Sequence, residues 1–389
     1  MSLTAALDAL SAEHLRARGG AKWTGVGGGG LGAGLAEMDF PVARAIVETL
    51  VAEVATARFG YLGPVLAEEM AAACAAWQRE RYGWRVAPSD VHPVADVQAA
   101  FEYAVRCFSR PDSPVVVPTP GYMPFLATPA AHGRAVVPVP MARAGNRWAL
   151  DLDGLAAAFR AGGHLLVLCN PANPTGRVYT RAELTAISDV VEAHGGRVFA
   201  DEIHAPLVYA CHRHVPYASL SPATAAHTIT ATSATKGWNL PGLKCAQVIV
   251  SNPADAETWR RIEPSTAFGA SPLGAVATTA AYTAGGEWLA GVVGYLDRNR
   301  RALGELLAVH LPGVLWEPPE GTYLTLLDCR GLDLPCSPGE FFRRRAGVLL
   351  VDGSECGEAA RGHARLNFAT PLPVLTELVA RMGAAVRAA

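Results

Sequence analysis

Residues 164–204 read HLLVLCNPANPTGRVYTRAELTAISDVVEAHGGRVFADEIH. An apolar run, His164–Cys169, leads into an Asn/Pro/Gly loop. A segment of helical periodicity follows from Thr180 to His194, and then a second apolar run, Gly196–Ala200. Both runs lack the apolar–polar alternation of a half-exposed strand, so they read as strands of a parallel sheet covered on both faces. Thr180 and Glu183 have the spacing of a capping box, and Gly195 stands where a helix stops. Strand, helix and strand in succession form a βαβ unit. Further runs at Pro114–Pro118, Ala135–Val139, Thr228–Ala231 and Ala246–Val250 extend the pattern to both sides. The fold class predicted is α/β, with a large doubly wound domain built on a mostly parallel sheet.

Outside this core the character changes. Residues 1–18 read as one short amphipathic helix, and the glycine-rich stretch 19–34 as a flexible crossing segment. Beyond about residue 285 a long helical stretch, Glu287 to Leu311, ends at Pro312. Strand-like pieces at Gly321–Asp328 and His363–Phe368 and a closing helix from Val374 follow, which predicts a smaller α+β domain. The expected division is an N-terminal arm with part of the small domain (1–44), a large domain (45–285) and a C-terminal small domain (286–389).

Composition narrows the function. Of 389 residues 50% are hydrophobic and 17% charged, enough apolar material for a sizeable core. A net charge of −2 supplies no broad basic field for nucleic acid or anionic lipid. No apolar run is long enough to span a membrane, and the first residues lack the basic start and apolar block of a signal peptide. The eight cysteines include no C-x-x-C pair, which fits reduced thiols in a cytoplasm. The basic residues are more informative: of 33, only Lys22, Lys236 and Lys244 are lysine. Where arginine serves every ordinary need for charge, a retained lysine points to chemistry that guanidinium cannot do. An amine can lose its proton and attack a carbonyl.

In open α/β sheets the working residues lie beyond the carboxyl ends of the strands. Four segments meet that rule: Gly121-Tyr122, Asn170 to Gly176, Asp201 to His204, and Ser233 to Lys236. A lysine, an aspartate, an asparagine and a phosphate-compatible loop in one cleft point to pyridoxal 5'-phosphate. Its aldehyde needs an amine, its ring nitrogen a carboxylate, and its ring oxygen an amide or imidazole. Its phosphate needs helix amides with cations or hydroxyls, and Asp96-Val97 opens a helix able to supply them. Cys211-His212-Arg213-His214 lacks a fourth ligand and reads as a solvated loop, so no metal is expected. Gly27–Gly30 has no preceding strand and no following Lys-Ser/Thr, and reads as a linker.

Several stretches, in order along the chain, carry a resemblance. They are Ala36-Glu37-Met38-Asp39-Phe40, Phe59-Gly60-Tyr61, Asn173-Pro174-Thr175-Gly176, Asp201-Glu202-Ile203-His204, Ser233 to Lys244, Glu320-Gly321-Thr322-Tyr323 and Arg365-Leu366-Asn367-Phe368. Together they resemble the class I/II aminotransferase superfamily of pyridoxal-phosphate fold type I, the aspartate-aminotransferase-like fold. Within it the chain is most similar to the C–S lyases of the cystathionine β-lyase and maltose-regulator type. The resemblance implies that Lys236 holds the cofactor aldehyde and acts as acid and base. It places Asp201 at the ring nitrogen, Asn173 and His204 near the ring oxygen, and Tyr122 on the ring face. Ser233 and Lys244 would bind the phosphate with Asp96-Val97, and Tyr61 would reach it from a second subunit. Arg365 and the backbone of Ala36 would receive the substrate carboxylate. A homodimer with shared sites is implied as well.

Gly34, Leu35, Asp96, Thr325, Leu326 and Cys356 depart from the family pattern near the expected pocket. They leave the natural amino-acid substrate open. The expected reaction is α,β-elimination from cystathionine or an S-substituted cysteine, giving a thiol, pyruvate and ammonia. Transamination, a specialised biosynthetic reaction on an amino acid, and a regulatory binding role are the alternatives.

Overall fold

A computed structural model describes residues 2–57, 59–145 and 147–389. Its centre is a seven-stranded sheet: β1 Val91–Val94, β2 Val115–Thr119, β3 Val136–Pro140, β4 Leu165–Cys169, β5 Arg197–Asp201, β6 Thr228–Thr232 and β7 Ala246–Val250. The spatial order is β1-β7-β6-β5-β4-β2-β3. Every neighbouring pair is parallel except those made by β7, which runs antiparallel to β1 and β6. One face is covered by Phe101, Phe125, Phe199 and Trp259, the other by Leu155, Phe159, Leu184 and Ile187. That double cover is why the strands are apolar throughout. The mostly parallel α/β architecture expected above is the one observed.

The helix Arg181–Ala193 crosses from β4 to β5, and both bonds of the Thr180–Glu183 capping box are present. Strand β5 extends to Asp201, one residue beyond the expected end, because Cys169 pairs with Asp201 and Asp201 with Ala231. A second sheet is antiparallel, in the order β8-β9-β11-β10: β8 Leu315–Trp316, β9 Leu324–Asp328, β10 Val351–Asp352 and β11 His363–Asn367. Strand β9 begins three residues later than expected, since Thr322 is in the left-handed region at φ 59°. The long helix spans Gly286–His310 and the closing helix Leu372–Arg387.

Two expectations near the N-terminus fail. Residues 2–18, the described part of that stretch, hold two helices, Leu3–Asp8 and Ala12–Ala17, because Ser11 is extended and caps the second through its hydroxyl. The stretch 19–34 is anchored rather than free. Lys22 and Trp23 are buried and both bond Asp39, at 2.9 and 2.7 Å. Leu31–Gly32 pairs in parallel with Val348–Leu349, which ties the start of the chain to its C-terminal part. Of the three lysines, Lys22 is therefore a structural ion pair.

Candidate active site

The carboxyl ends of β2, β4, β5 and β6 open onto one cavity of about 200 Å³. Tyr122, Asn173, Asp201, His204 and Lys236 share its wall with Ala36, Asp96, Val97 and Lys244. Crossing from strand to loop at the same sheet edge brings together residues up to 114 positions apart (Tyr122 to Lys236). The lysine-bearing turn is a short helix, Ala234–Gly237, capped by Ser233.

Lys236 Nζ donates to the Ala36 carbonyl, which also accepts from Tyr323 Oη at 3.1 Å. Burial, then the Arg365 guanidinium, lowers the ammonium to about 8, although Glu37 and Asp201 act the other way. Asp201, at the end of β5, is 4% exposed. Burial lifts its carboxyl to about 6, against the opposing bonds from the Ile203 amide at 3.1 Å and the Cys169 thiol at 3.5 Å. No cation bonds it directly among the described residues. His204 is pushed down to about 3 by burial and by the Lys236 and Arg365 cations, so its imidazole is neutral. Its Nδ1 meets Thr322 Oγ1 at 2.9 Å, and the left-handed backbone of Thr322 aims that hydroxyl.

Arg365 comes from β11, on the second sheet, and is 2% exposed. Its Nη1 donates to Asn173 Oδ1 at 3.2 Å and its Nη2 to the Gly34 carbonyl at 2.7 Å. Its Nε is buried and has no partner among the described residues. On the opposite wall the helix Val97–Cys107 points its N-terminus at the cavity, capped by Asp96 through the Ala99 amide at 2.8 Å. Asp96 also pairs with Lys244 at 2.8 Å. Burial acts to raise the Asp96 carboxyl, but Lys244 and the Ala99 amide together hold it below its ordinary range.

Two of the expected residues do not line this chain's own cavity, one of which, Tyr61, is expected to act from a second subunit. The Ser233 hydroxyl donates to the Cys245 carbonyl at 2.7 Å and caps the lysine turn at 3.1 Å. Tyr61 is 80% exposed, edge-on to Phe268, away from this chain's own cavity. His214 is also not solvated, as the loop reading had it, but buried against Glu202 at 3.1 Å. Conversely, Gln98, Phe125, Ile203, Thr235 and Pro241 line the cavity without having been singled out. Thr235 precedes the lysine and Gln98 sits in the first turn of the capped helix, so the strand-end rule could have found both. Thr322 carries no such signal, since its role depends on a backbone angle.

The chain belongs to the aminotransferase class I and II family, whose match runs over residues 31–382. It is 37% identical to a putative cystathionine beta-lyase of Mycobacterium leprae, covering 98% of each chain. It is 34% identical to the cystathionine beta-lyase of Corynebacterium glutamicum, covering 95% of this chain and 97% of that one. Among solved structures, a putative PLP-dependent beta-cystathionase from Corynebacterium diphtheriae superposes with a TM-score of 0.91 at 38% identity. That likeness covers 97% of this chain and 98% of the other. No helix among the described residues is long and apolar enough to cross a membrane.

Proposed function

We propose that this chain is a pyridoxal-5'-phosphate-dependent carbon–sulfur β-lyase that cleaves cystathionine or an S-substituted cysteine to a thiol, pyruvate and ammonia. The observation that carries the reading is one cavity walled by Lys236, Asp201, Asn173 and Tyr122, with Arg365 behind it. Relatives named cystathionine beta-lyase, alike over nearly the full length, support the reaction type.

The residues fit the group. Asp201 is a buried acid lacking a cation, which a protonated ring nitrogen would supply. Arg365 Nε is a buried donor lacking an acceptor, which a substrate carboxylate would supply in a two-point contact. Lys236 would hold the cofactor through its amine, with Tyr122 on the ring face and Asn173 and His204 at the ring oxygen. The first turn of Val97–Cys107, Thr235 and Lys244 would receive the phosphate. The Ser233 hydroxyl caps the lysine turn and bonds the Cys245 carbonyl at 2.7 Å, beside Thr235. The bound cofactor supplies an electron sink next to the substrate α-carbon. Arg365 and the Ala36 backbone orient the substrate. Lys236, with its ammonium lowered to about 8, is partly neutral near physiological pH and can take the α-proton onto Nζ. The same Nζ can then return a proton to the leaving sulfur.

The partner in this reading is a second copy of the chain. Val47, Val51 and Val54 form an exposed stripe on the helix Arg44–Ala55, and Phe59, Tyr61 and Phe268 are exposed as well. A homodimer would cover that face and carry Tyr61 to the other copy's site. The same reading includes the three-part division at 44/45 and 285/286, and a cytoplasmic location, which suits eight free thiols. The test incubates the purified protein with cystathionine in the absence of any keto acid. Pyruvate release abolished by Lys236→Ala is expected. Turnover only when 2-oxoglutarate or pyruvate is added would identify an aminotransferase instead, which the family match also accommodates.

A further inference from the structure

Among the described residues that line the active-site cavity, the charged ones are Asp96, Asp201, Lys236 and Lys244. Asp201 and Lys236 are taken by the ring nitrogen and the aldehyde of the cofactor, which leaves Asp96 and Lys244 for the phosphate end. These two are already paired with each other: Lys244 Nζ donates to Asp96 Oδ2 at 2.8 Å. The Asp96 carboxyl is held below its ordinary range, so it is an anion near neutral pH. Within this chain the phosphate end of the cavity is therefore electrically balanced before any cofactor enters. A phosphate monoester brings close to two more negative charges at that pH.

Asp96 also takes up backbone donors on the same wall. The helix Val97–Cys107 offers the amides of Val97, Gln98 and Ala99 at its N-terminus, since the Ala100 amide already bonds the Asp96 carbonyl. The Ala99 amide donates to Asp96 Oδ1 at 2.8 Å, and the Gln98 amide bonds the same carboxylate. Of the three, only the Val97 amide is not spent on it. The Gln98 side-chain amide donates to Thr128.

One effect of Asp96 has the opposite sign, because it steadies Lys244 at the cavity wall. Magnitudes decide between the two. The Lys244 side chain is 59% exposed, and an ion pair that exposed fixes a long side chain only weakly. Against this stand a full negative charge on the phosphate's own cation and two amides withheld from the incoming anion.

We propose that the Asp96 side chain sets the affinity of this site for the phosphate end of its cofactor. It holds pyridoxal 5'-phosphate loosely and narrows the preference over the unphosphorylated aldehyde, pyridoxal. The inference rests on the pyridoxal-phosphate reading of the cavity. Asp96 touches no reacting atom; it acts through Lys244 and the helix amides, as a determinant of cofactor specificity.

The test titrates the full-length, cofactor-free protein with pyridoxal 5'-phosphate and, separately, with pyridoxal, followed by absorbance. The two compounds differ only in the phosphate, so the ratio of their dissociation constants isolates that group. Asp96→Asn keeps an oxygen for the Ala99 amide and removes the charge. It should tighten pyridoxal 5'-phosphate about tenfold or more and leave pyridoxal within about twofold. Loss of pyridoxal 5'-phosphate from the loaded variant on dilution should slow by a similar factor. A purely structural effect would move both compounds together. Asp96→Ser, which also caps without charge, gives the same comparison if Asp96→Asn does not fold. A ratio unchanged or reversed in the folded variant would overturn the proposal. Wild type that binds neither compound, or binds both equally well as Lys236→Ala, would overturn the cofactor reading beneath it.

Discussion

At the scale of single residues, the site works by holding charges where an empty protein would not keep them. Asp201 rises from 3.8 to about 6 because burial disfavours its anion, a cost of about 3 kcal/mol to the ionised, cofactor-free fold. The folded state then binds that proton more tightly than the unfolded chain. Stability of the cofactor-free protein therefore falls as pH rises from about 4 to 6, and the deficit persists above that. Asp201→Asn should raise the melting temperature of the cofactor-free protein at pH 7.5 and leave it nearly unchanged at pH 4. The same variant should lose cofactor affinity and pyruvate release by about a hundredfold or more. Paired melts at the two pH values check the first statement, and a cofactor titration checks the second. Lys236 has the opposite sign. Its lowered ammonium costs stability below about pH 8, and that cost is relieved as pH rises towards 10.5. Cofactor capture by the amine should accelerate with pH and level off above about 8, as stopped-flow absorbance would record.

Among elements, the loops matter more than the strands they follow. Glu320 begins the Glu-Gly-Thr-Tyr run and accepts from Arg147 at 2.8 Å, Arg177 at 3.1 Å and the Val178 amide at 2.7 Å. It thereby clamps the second sheet to the segment just after Asn173. Gly176, between them, has φ +71° and lies where any Cβ would collide with Pro319. Glu320→Ala would leave the 2%-exposed Arg177 with Glu183 and the Trp148 carbonyl. Removing one acceptor of a buried cation that keeps others costs about 1–3 kcal/mol. The expected result is a lower denaturation midpoint together with a raised KM, since Asn173 positions Arg365. An unchanged KM alongside lost stability would separate the clamp from the site.

For the whole molecule, the decisive feature is an apolar stripe that a lone chain leaves in water. Val51 is 65% exposed in the middle of it. Val51→Asp should shift the sedimentation coefficient to that of a monomer and reduce activity in parallel, since Tyr61 is read as serving the opposite copy. Mixing Tyr61→Ala with Lys236→Ala protein, each nearly inactive, should recover about a quarter of wild-type activity by random reassortment into dimers with one intact site. No recovery after subunit exchange, verified by mass, would show that each chain carries its own complete site.

The primary structure alone determined the layered α/β plan, the capped crossover helix and the four strand ends with their chemistry. These follow from local periodicity and from the scarcity of lysine, which need no knowledge of distant contacts. Tertiary structure decided what one residue does in the presence of another. It turned Ser233 inward to Cys245, anchored the glycine-rich stretch through Lys22 and Asp39, and buried His214 against Glu202. It also twisted Thr322 into a left-handed turn to hold His204. The physical reason is that burial and hydrogen-bond partnership belong to pairs brought together from remote parts of the chain, and a residue's type and its neighbours in sequence do not specify the other member of the pair.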